Sequence, residues 1–361
     1  MEQQHRLCYI SRNYYNLSTA GNKAKTDNED TLSDMGAINL GLHRTVNSSK
    51  ILAFFLDLAG VLRACMMLKR GDVLFLQYPV KKYFSLLCNV AKMKGAQTSC
   101  VIHDLGSFRR KKLTVEKEIA RLSHCDYIIA SNENMRQWLI QHGMKKTVGS
   151  LGLFDYRSAS FNEHSASLSQ SQEHSASSDV TSSGALPKIV YAGALSMRKN
   201  SFLVELTKKK LSGWKLLIVG NKEGLQGLQE NAHIEYRGFM PSEDFISHID
   251  ADFGLVWDGD SLDTCSGDYG EYLRWNSPHK VSFCLRAGLP VIIWKDAAVA
   301  PIIEKEGVGI AISSLKELDD VFHSLSANDL EQLKANAQKM AKKLNEGYFL
   351  RSALLHFYKV S

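Results

Sequence analysis

The sequence predicts an α/β protein of two doubly wound parallel sheets, joined by a linker and facing each other across a ligand cleft. Three observations carry this reading. Short apolar strands alternate with helical stretches in both halves of the chain, the pattern of parallel α/β sheets. A Ser-rich block from Ser158 to Gly184 interrupts the alternation. Beyond it, each strand delivers a Gly or a polar residue at its carboxyl end, the edge at which open α/β sheets bind ligands. At 361 residues, 44% of them hydrophobic, the chain exceeds the size at which one core usually stops growing.

In the first half, Leu7 to Ser11, Asp72 to Tyr78, Thr98 to His103 and Tyr127 to Ala130 read as strands, and Ile51 to Leu68, Tyr83 to Met93 and Asn132 to Gln141 as helices. Asn13 to Asn28 reads as a polar loop containing Gly21 and Asn22. The block from Ser158 combines Ser, Ala, Gln, Glu and His and repeats Glu-His-Ser-Ala-Ser at 163–167 and 173–177; it cannot bury a core and is expected to be a mobile linker. In the second half, Lys188 to Ala192, Trp214 to Val219, Ile234 to Tyr236, Phe253 to Trp257 and Val291 to Trp294 read as strands. Helices over Asp329 to Asn345 and Phe349 to Lys359 close the chain. The expected division is residues 1–157, a linker at 158–185, a second domain at 186–340, and a terminal helix at 341–361 returning to the first domain.

The formal net charge is +6, with basic groups such as Arg109-Arg110-Lys111-Lys112 and Lys208-Lys209-Lys210. Such groups are most often solvated faces; nucleic-acid binding would rest on charge alone, without interleaved aromatic motifs, and is set aside. The seven cysteines are odd in number and lack a C-x-x-C spacing, which suggests reduced thiols and a cytoplasmic setting. The longest apolar stretch, Ile51 to Leu62, is broken by Asp57, so neither a leader nor a membrane span is expected. Peripheral contact with the inner membrane face and self-association are compatible with this composition.

Chemistry concentrates in the second half. Tyr191-Ala192-Gly193 places a close-approach glycine after a strand, and Arg198 and Lys199 follow at a helix start. In the stretch from Gly270 to Trp294, Asn276, Ser277, His279 and Lys280 supply donors at another helix start, ahead of an apolar helix and a Gly-Leu-Pro turn. Two converging sets of this kind suit an anion, here a nucleotide diphosphate. Asp258, Asp260 and Asp263 are oxygen ligands with no regular element to fix them, so they are read as a sugar-pocket loop and no metal site is expected.

The order Tyr-Ala-Gly-x-Leu…Lys-Asn, Val-Gly, Arg-Gly-Phe and Pro-His-Lys…Ala-Gly-Leu-Pro-Val-Ile resembles the donor half of the GT-B glycosyltransferases. Gly-Glu-Tyr-Leu followed by Asn-x-Pro-His-Lys resembles a bacterial subgroup of galactofuranosyltransferases and of glucosyltransferases that extend O-linked N-acetylglucosamine on adhesins. The resemblance implies a GT-B fold and transfer of galactofuranose, glucose or galactose from a UDP-sugar to a glycan, glycoprotein or lipid-linked acceptor, with no metal or other cofactor. It places the diphosphate at Gly193, Arg198, Lys199, Asn276, Ser277, His279 and Lys280. The base pocket falls at Gly220 and Arg237-Gly238-Phe239-Met240, and Asp258 and Glu271 line the sugar. Phe283 departs from the pattern, standing where many such enzymes carry a ribose-binding Glu.

If a sugar is transferred, His103 or Asp104 could serve as the base and the cations could stabilise the leaving group. Gly21, Asn22 and Arg109 are the expected acceptor contacts. The competing reading is a non-catalytic GT-B partner of another transferase, against which the intact Arg198, Lys199, His279 and Lys280 speak. Deleting Ser160 to Ser182 is expected to leave the melting temperature almost unaltered, because these residues hold too little apolar surface to stabilise a core. A large drop on thermal denaturation would show that the segment packs.

Overall fold

The computed structural model describes residues 6–15, 19–79, 83–108, 113–161 and 186–360. It divides into Met1–Asp155 with Glu346–Ser361, and Tyr156–Asn345. The division falls at Asp155 rather than 157, and the chain returns to the first unit at Glu346 rather than 341. Most of the Ser-rich segment, and Arg109 with its basic neighbours, lie outside the described residues.

The first unit contains β1 (Leu7–Tyr9), β2 (Asn13–Tyr14), β3 (Ile38–Asn39), β4 (Thr45–Val46), β5 (Val73–Tyr78), β6 (Gln97–Ile102), β7 (Tyr127–Ala130) and β8 (Thr147–Ser150). Six of these form one sheet in the order β3-β1-β5-β6-β7-β8, every pair parallel, while β2 and β4 pair with each other. A parallel sheet is covered on both faces, so its strands read as continuous apolar runs; Val73, Leu74, Phe75 and Leu76 are all buried. Helices Lys50–Met67, Val115–Leu122 and Glu133–Gln141 begin at Ser49, Thr114 and Asn132, whose side chains accept from amides three residues on.

One expectation fails in this unit. The polar stretch around Gly21 and Asn22 is not a loop but the first turn of helix Ala20–Asp34. Its inward side is largely polar, so apolar periodicity does not reveal it. The buried groups are satisfied instead by hydrogen bonds: Glu29 accepts from Tyr14 Oη (2.5 Å), Ser11 Oγ (2.7 Å) and Arg44 Nε (2.9 Å), and Thr31 donates to the Asp27 carbonyl (2.9 Å). Burial raises the Glu29 pKa, against the opposing pull of these donors.

The terminal helix Tyr348–Val360 belongs to the first unit. It lays Leu350, Leu354 and Phe357 among Phe75, Val101, Tyr127 and Ile129. Asp155, buried, accepts from the amides of Phe349 (3.1 Å) and Leu350 (2.8 Å) at its first turn, neutralising orphan donors where the macrodipole favours a carboxylate.

The second unit holds β9 (Lys188–Ala192), β10 (Lys215–Val219), β11 (Ile234–Gly238), β12 (Phe253–Val256), β13 (Val291–Trp294) and β14 (Gly309–Ile312). Their order, β11-β10-β9-β12-β13-β14, is all parallel and reverses direction between β9 and β12. Helix His279–Arg286 lies so tightly on β12 that a Cβ at Gly254 would come 2.3 Å from Cys284 Sγ. Its last residue, Arg286, is buried and donates to the carbonyls of Ser158 (3.0 Å) and Ser160 (2.6 Å). Residues 158–160 are therefore held to this unit rather than free as a linker, and a deletion that spares the fold must begin beyond Phe161.

The docking of the terminal helix can be measured. Leu354→Ala is expected to destabilise the chain by about 2–5 kcal/mol, the range for a buried leucine. Asp155→Ala should cost about 1–2 kcal/mol through the lost cap. Leu355→Ala, at an exposed position, should change stability by less than about 0.5 kcal/mol. Urea denaturation of the full chain compares the three.

Candidate active site

In open α/β sheets the order reversal leaves a crevice at the carboxyl ends of the strands. In the second unit that point lies between β9 and β12. There β9 ends in Tyr191, Ala192 and Gly193, and β12 leads into Trp257 and Asp258. Asp258 is 6% exposed, and a carboxylate taken out of water must be compensated. Lys280, in the first turn of helix His279–Arg286, donates to Asp258 Oδ1 at 2.7 Å and to Tyr191 Oη at 2.5 Å. Tyr191 Oη donates to Asp258 (3.2 Å) and accepts from Asn200 Nδ2 (2.8 Å). The Lys280 ammonium also lies 4.1 Å from the centre of the Tyr191 ring. Burial, then the charge of Asp258, holds the Tyr191 pKa well above its ordinary value, so the phenol stays neutral.

Lys199 reaches the other oxygen of Asp258 at 3.9 Å. Two ammonium groups thus share one carboxylate, leaving a net positive charge. An ammonium carries three N–H donors, and Lys280 spends two on Asp258 and Tyr191. The helix it opens has Pro278 before it and no side-chain cap, so the positive end of its dipole adds to the same charge.

The glycines make room around these groups. Gly193 and Gly220 both have positive φ, and a Cβ on Gly220 would stand 2.0 Å from the Gly193 carbonyl oxygen. Gly220 N in turn donates to the Gly238 carbonyl (2.8 Å). The ends of β9, β10 and β11 are thereby pressed together. This arrangement brings Gly193, Lys199, Gly220, Gly238, Asp258 and Lys280 to one edge of the sheet.

The other expected residues have their own neighbours. Arg198 is exposed and reaches Asp268 at 3.7 Å; Arg237 pairs with Glu235 (2.8 Å); Glu271 pairs with Arg274 (3.0 Å). Phe239, following Gly238, is 68% exposed, and Met240 is half-buried. Asn276 and Ser277 precede the helix, and the His279 ring lies 5.6 Å from that of Tyr156. Phe283, at the position where many GT-B enzymes carry Glu, stacks on Phe245 at 4.4 Å and packs near Tyr156. Asp258, Asp260 and Asp263 diverge: Asp260 pairs with Ser266 and Asp263 with Lys316 (2.6 Å). Tyr191 and Asn200, which orient the charged groups, were visible only as parts of the Tyr-Ala-Gly and Lys-Asn motifs.

In the first unit, His103 and Asp104 follow β6. Gln77 Nε2 donates to the Lys25 carbonyl (3.0 Å), so its Oε1 faces Asn28 Nδ2 (3.0 Å) and His103 Nε2 (2.9 Å). His103 Nε2 therefore carries the hydrogen of this bond. The ring stacks on Phe154 at 4.9 Å and 8°. The loop beyond is held by buried Glu118, which accepts from the amides of Gly106 (2.9 Å) and Ser107 (2.7 Å) and from Tyr78 Oη (2.8 Å). Neither Gln77 nor Glu118 carries a motif that would have marked it.

Two family models match this chain, the glucosyltransferase 3-like N-terminal domain over residues 7–153 and the glucosyltransferase 3-like C-terminal domain over residues 189–357. The chain belongs to the glucosyltransferase 3-like family and is a GT-B glycosyltransferase. It is 29% identical over 346 residues to the beta-1,6-galactofuranosyltransferase WbbI of Escherichia coli (strain K12), covering 93% of each chain. It is 23% identical over 295 residues to Glucosyltransferase 3 of Streptococcus parasanguinis, covering 80% of this chain and 78% of the relative. Among solved structures, a glycosyltransferase from Rickettsia africae ESF-5 superposes over 99% of both chains with a TM-score of 0.58 at 14% identity, a likeness of fold.

Glycine substitutions test the geometry of this transferase in both units. Gly220→Ala is expected to lower the melting temperature sharply, because the methyl cannot fit against Gly193. Gly21→Ala, with no atom within 4 Å of its Cβ position, should be neutral or stabilise by up to about 1 kcal/mol, as in a helix. Differential scanning calorimetry distinguishes them; a destabilising Gly21→Ala would contradict the helical assignment.

Proposed function

We propose that the chain transfers a hexose from a UDP-sugar to a glycan or glycoconjugate acceptor in bacterial surface polysaccharide or glycoprotein synthesis, without a metal ion. The observation that carries this reading is the pair of lysines on Asp258 at the switch point of the second sheet. Lys280 is held in place before any ligand arrives and keeps one donor for a phosphate oxygen; Lys199 adds a second charge. Such preorganised cations stabilise the charge that develops on a departing diphosphate. The positive end of the dipole of helix His279–Arg286 acts in the same sense. Exposed Phe239 offers a flat face for the uracil ring, and Glu271 and Asp258 offer acceptors to sugar hydroxyls. Galactofuranose is the favoured sugar, because the galactofuranosyltransferase WbbI matches the chain over 93% of its length.

The acceptor base in this reading is Asp104 or His103. The hydrogen bond from His103 Nε2 to Gln77 fixes the orientation of the ring. Asp104→Asn is expected to cut transfer by roughly the 10²–10⁴ of a lost general base while UDP affinity stays near wild type. Lys199→Ala should weaken UDP binding and slow transfer together, since its charge acts on both the bound and the departing diphosphate. Measuring affinity and transfer rate on both variants tests the division of roles. Full transfer by Asp104→Asn would move the base to Glu271 or the stretch around Gly21 and make His103 and Asp104 a structural pair.

UDP should also protect the fold against heat, by about 2.7 kcal/mol when present at a hundred times its dissociation constant. His279→Ala combined with Lys280→Ala should remove most of that shift, and a chelator should leave it unchanged. A shift abolished by chelator would overturn the metal-free reading; one that survives the double substitution would overturn the placement of the diphosphate.

A further inference from the structure

Helix Lys50–Met67 is built inside out. Its buried positions are small: Ala53, Gly60, Val61 and Ala64. Its large side chains stand in water: Ile51 is 74% exposed, Phe55 59%, Leu62 52% and Met66 74%. Positions 51, 55, 62 and 66 fall on one face of a 3.6-residue helix, so these four form a continuous apolar stripe. Lys94 Nζ donates to the carbonyls of Met66 (3.1 Å) and Leu68 (3.0 Å), tying the neighbouring helix Phe84–Met93 to the end of the stripe. That helix adds Met93, 86% exposed. Soluble proteins seldom leave a contiguous apolar face of this kind without a use.

The charge around the stripe is one-sided. Lys50 stands at its start, and Lys69, Arg70 and Lys92 at its far end, all exposed. Within residues 47–71 and 83–97 the one carboxylate is Asp57, which turns inward to accept from the Asn13 amide (3.3 Å). No helix among the described residues is long and apolar enough to cross a membrane.

We propose that this face docks the protein onto an anionic lipid bilayer, helix Lys50–Met67 lying in the interface with Ile51, Phe55, Leu62 and Met66 among the acyl chains and the lysines and arginine on the headgroups. An in-plane helix binds through buried apolar area plus attraction to anionic lipid, and both are present. A second copy of the chain fits less well, because a two-fold interface sets each patch against itself. That would bring the same cations together with no carboxylates to meet them. The inference is independent of the donor reading and fails separately from it.

The test is co-sedimentation of the full-length protein with vesicles of phosphatidylcholine alone or with phosphatidylglycerol added. Binding is expected to require the anionic lipid and to fall as salt rises. Phe55→Ser with Met66→Ser, and separately Lys69→Glu with Lys92→Glu, should each reduce the bound fraction roughly tenfold or more. Their exposed positions should leave the melting temperature unchanged. Absence of binding to either vesicle overturns the proposal, as does binding that ignores both pairs of substitutions. Self-association in light scattering that is lost with Phe55→Ser and Met66→Ser, without vesicle binding, would assign the face to a second copy and overturn it too.

Discussion

Asp258 is a carboxylate held almost out of water at the one place in the second sheet where the strand order reverses, and the surrounding residues are arranged around that charge. Breaking a buried ion pair by removing one partner typically costs about 3–5 kcal/mol, because the other charge is left uncompensated. Lys280 meets that demand directly, Tyr191 donates to the carboxylate, and Asn200 fixes the tyrosine. The consequence is that a lysine in the first turn of helix His279–Arg286 points at the end of β12. A long flexible side chain ordinarily loses rotamer freedom when it binds a ligand; here the fold has already ordered it.

The same edge depends on what the backbone leaves open. Gly193 and Gly220 let β9 and β10 end in contact, and Gly254 lets helix His279–Arg286 rest on β12. Without that close rest the reach from the helix start to Asp258 would lengthen. The aromatic packing of Phe283 against Phe245 and Tyr156 anchors the outer side of the same helix. A Glu at 283 would put a charge into this cluster, which gives a physical reason for the departure from the wider GT-B pattern. In the first unit a parallel logic holds: Glu118 grips the amides of Gly106 and Ser107, and Gln77 orients His103. In both units a polar group beneath the strand ends positions the groups above it.

Much of this was legible in the sequence, and the exceptions have a common cause. Strands such as Tyr127–Ala130, Lys188–Ala192 and Val291–Trp294 are continuous apolar runs and were readable to the residue, and helix Lys50–Met67 was readable to within one at either end. Helix Ala20–Asp34 was not, because beside Ala24 and Leu32 its buried side is made of Thr26, Asp27, Asn28, Glu29 and Thr31, which only tertiary hydrogen bonds make compatible with burial. β14, with Gly309 and small residues, carried too weak a pattern. Lys199 and Lys280 stood out through their motifs, but that both bind one carboxylate required the strand order. Arg198 and Lys199 are adjacent, yet the first turns to Asp268 and the second to Asp258. Buried Arg286 carried no signal in the sequence, and only its bonds to Ser158 and Ser160 show that it secures the chain entering the Ser-rich segment.

The central claim is that the Lys280 ammonium, oriented by Asp258 and Tyr191, is built to hold a diphosphate. Calorimetric titration of UDP and of uridine into the wild type and into the double variant Asp258→Asn with Lys280→Met tests it most directly, since the pair leaves net charge unchanged and strands no buried carboxylate. The account predicts that UDP affinity falls roughly 10- to 100-fold, the worth of a lost charge-assisted hydrogen bond, while uridine affinity is unaltered. Undiminished UDP binding, or an equal loss for both ligands, would contradict it.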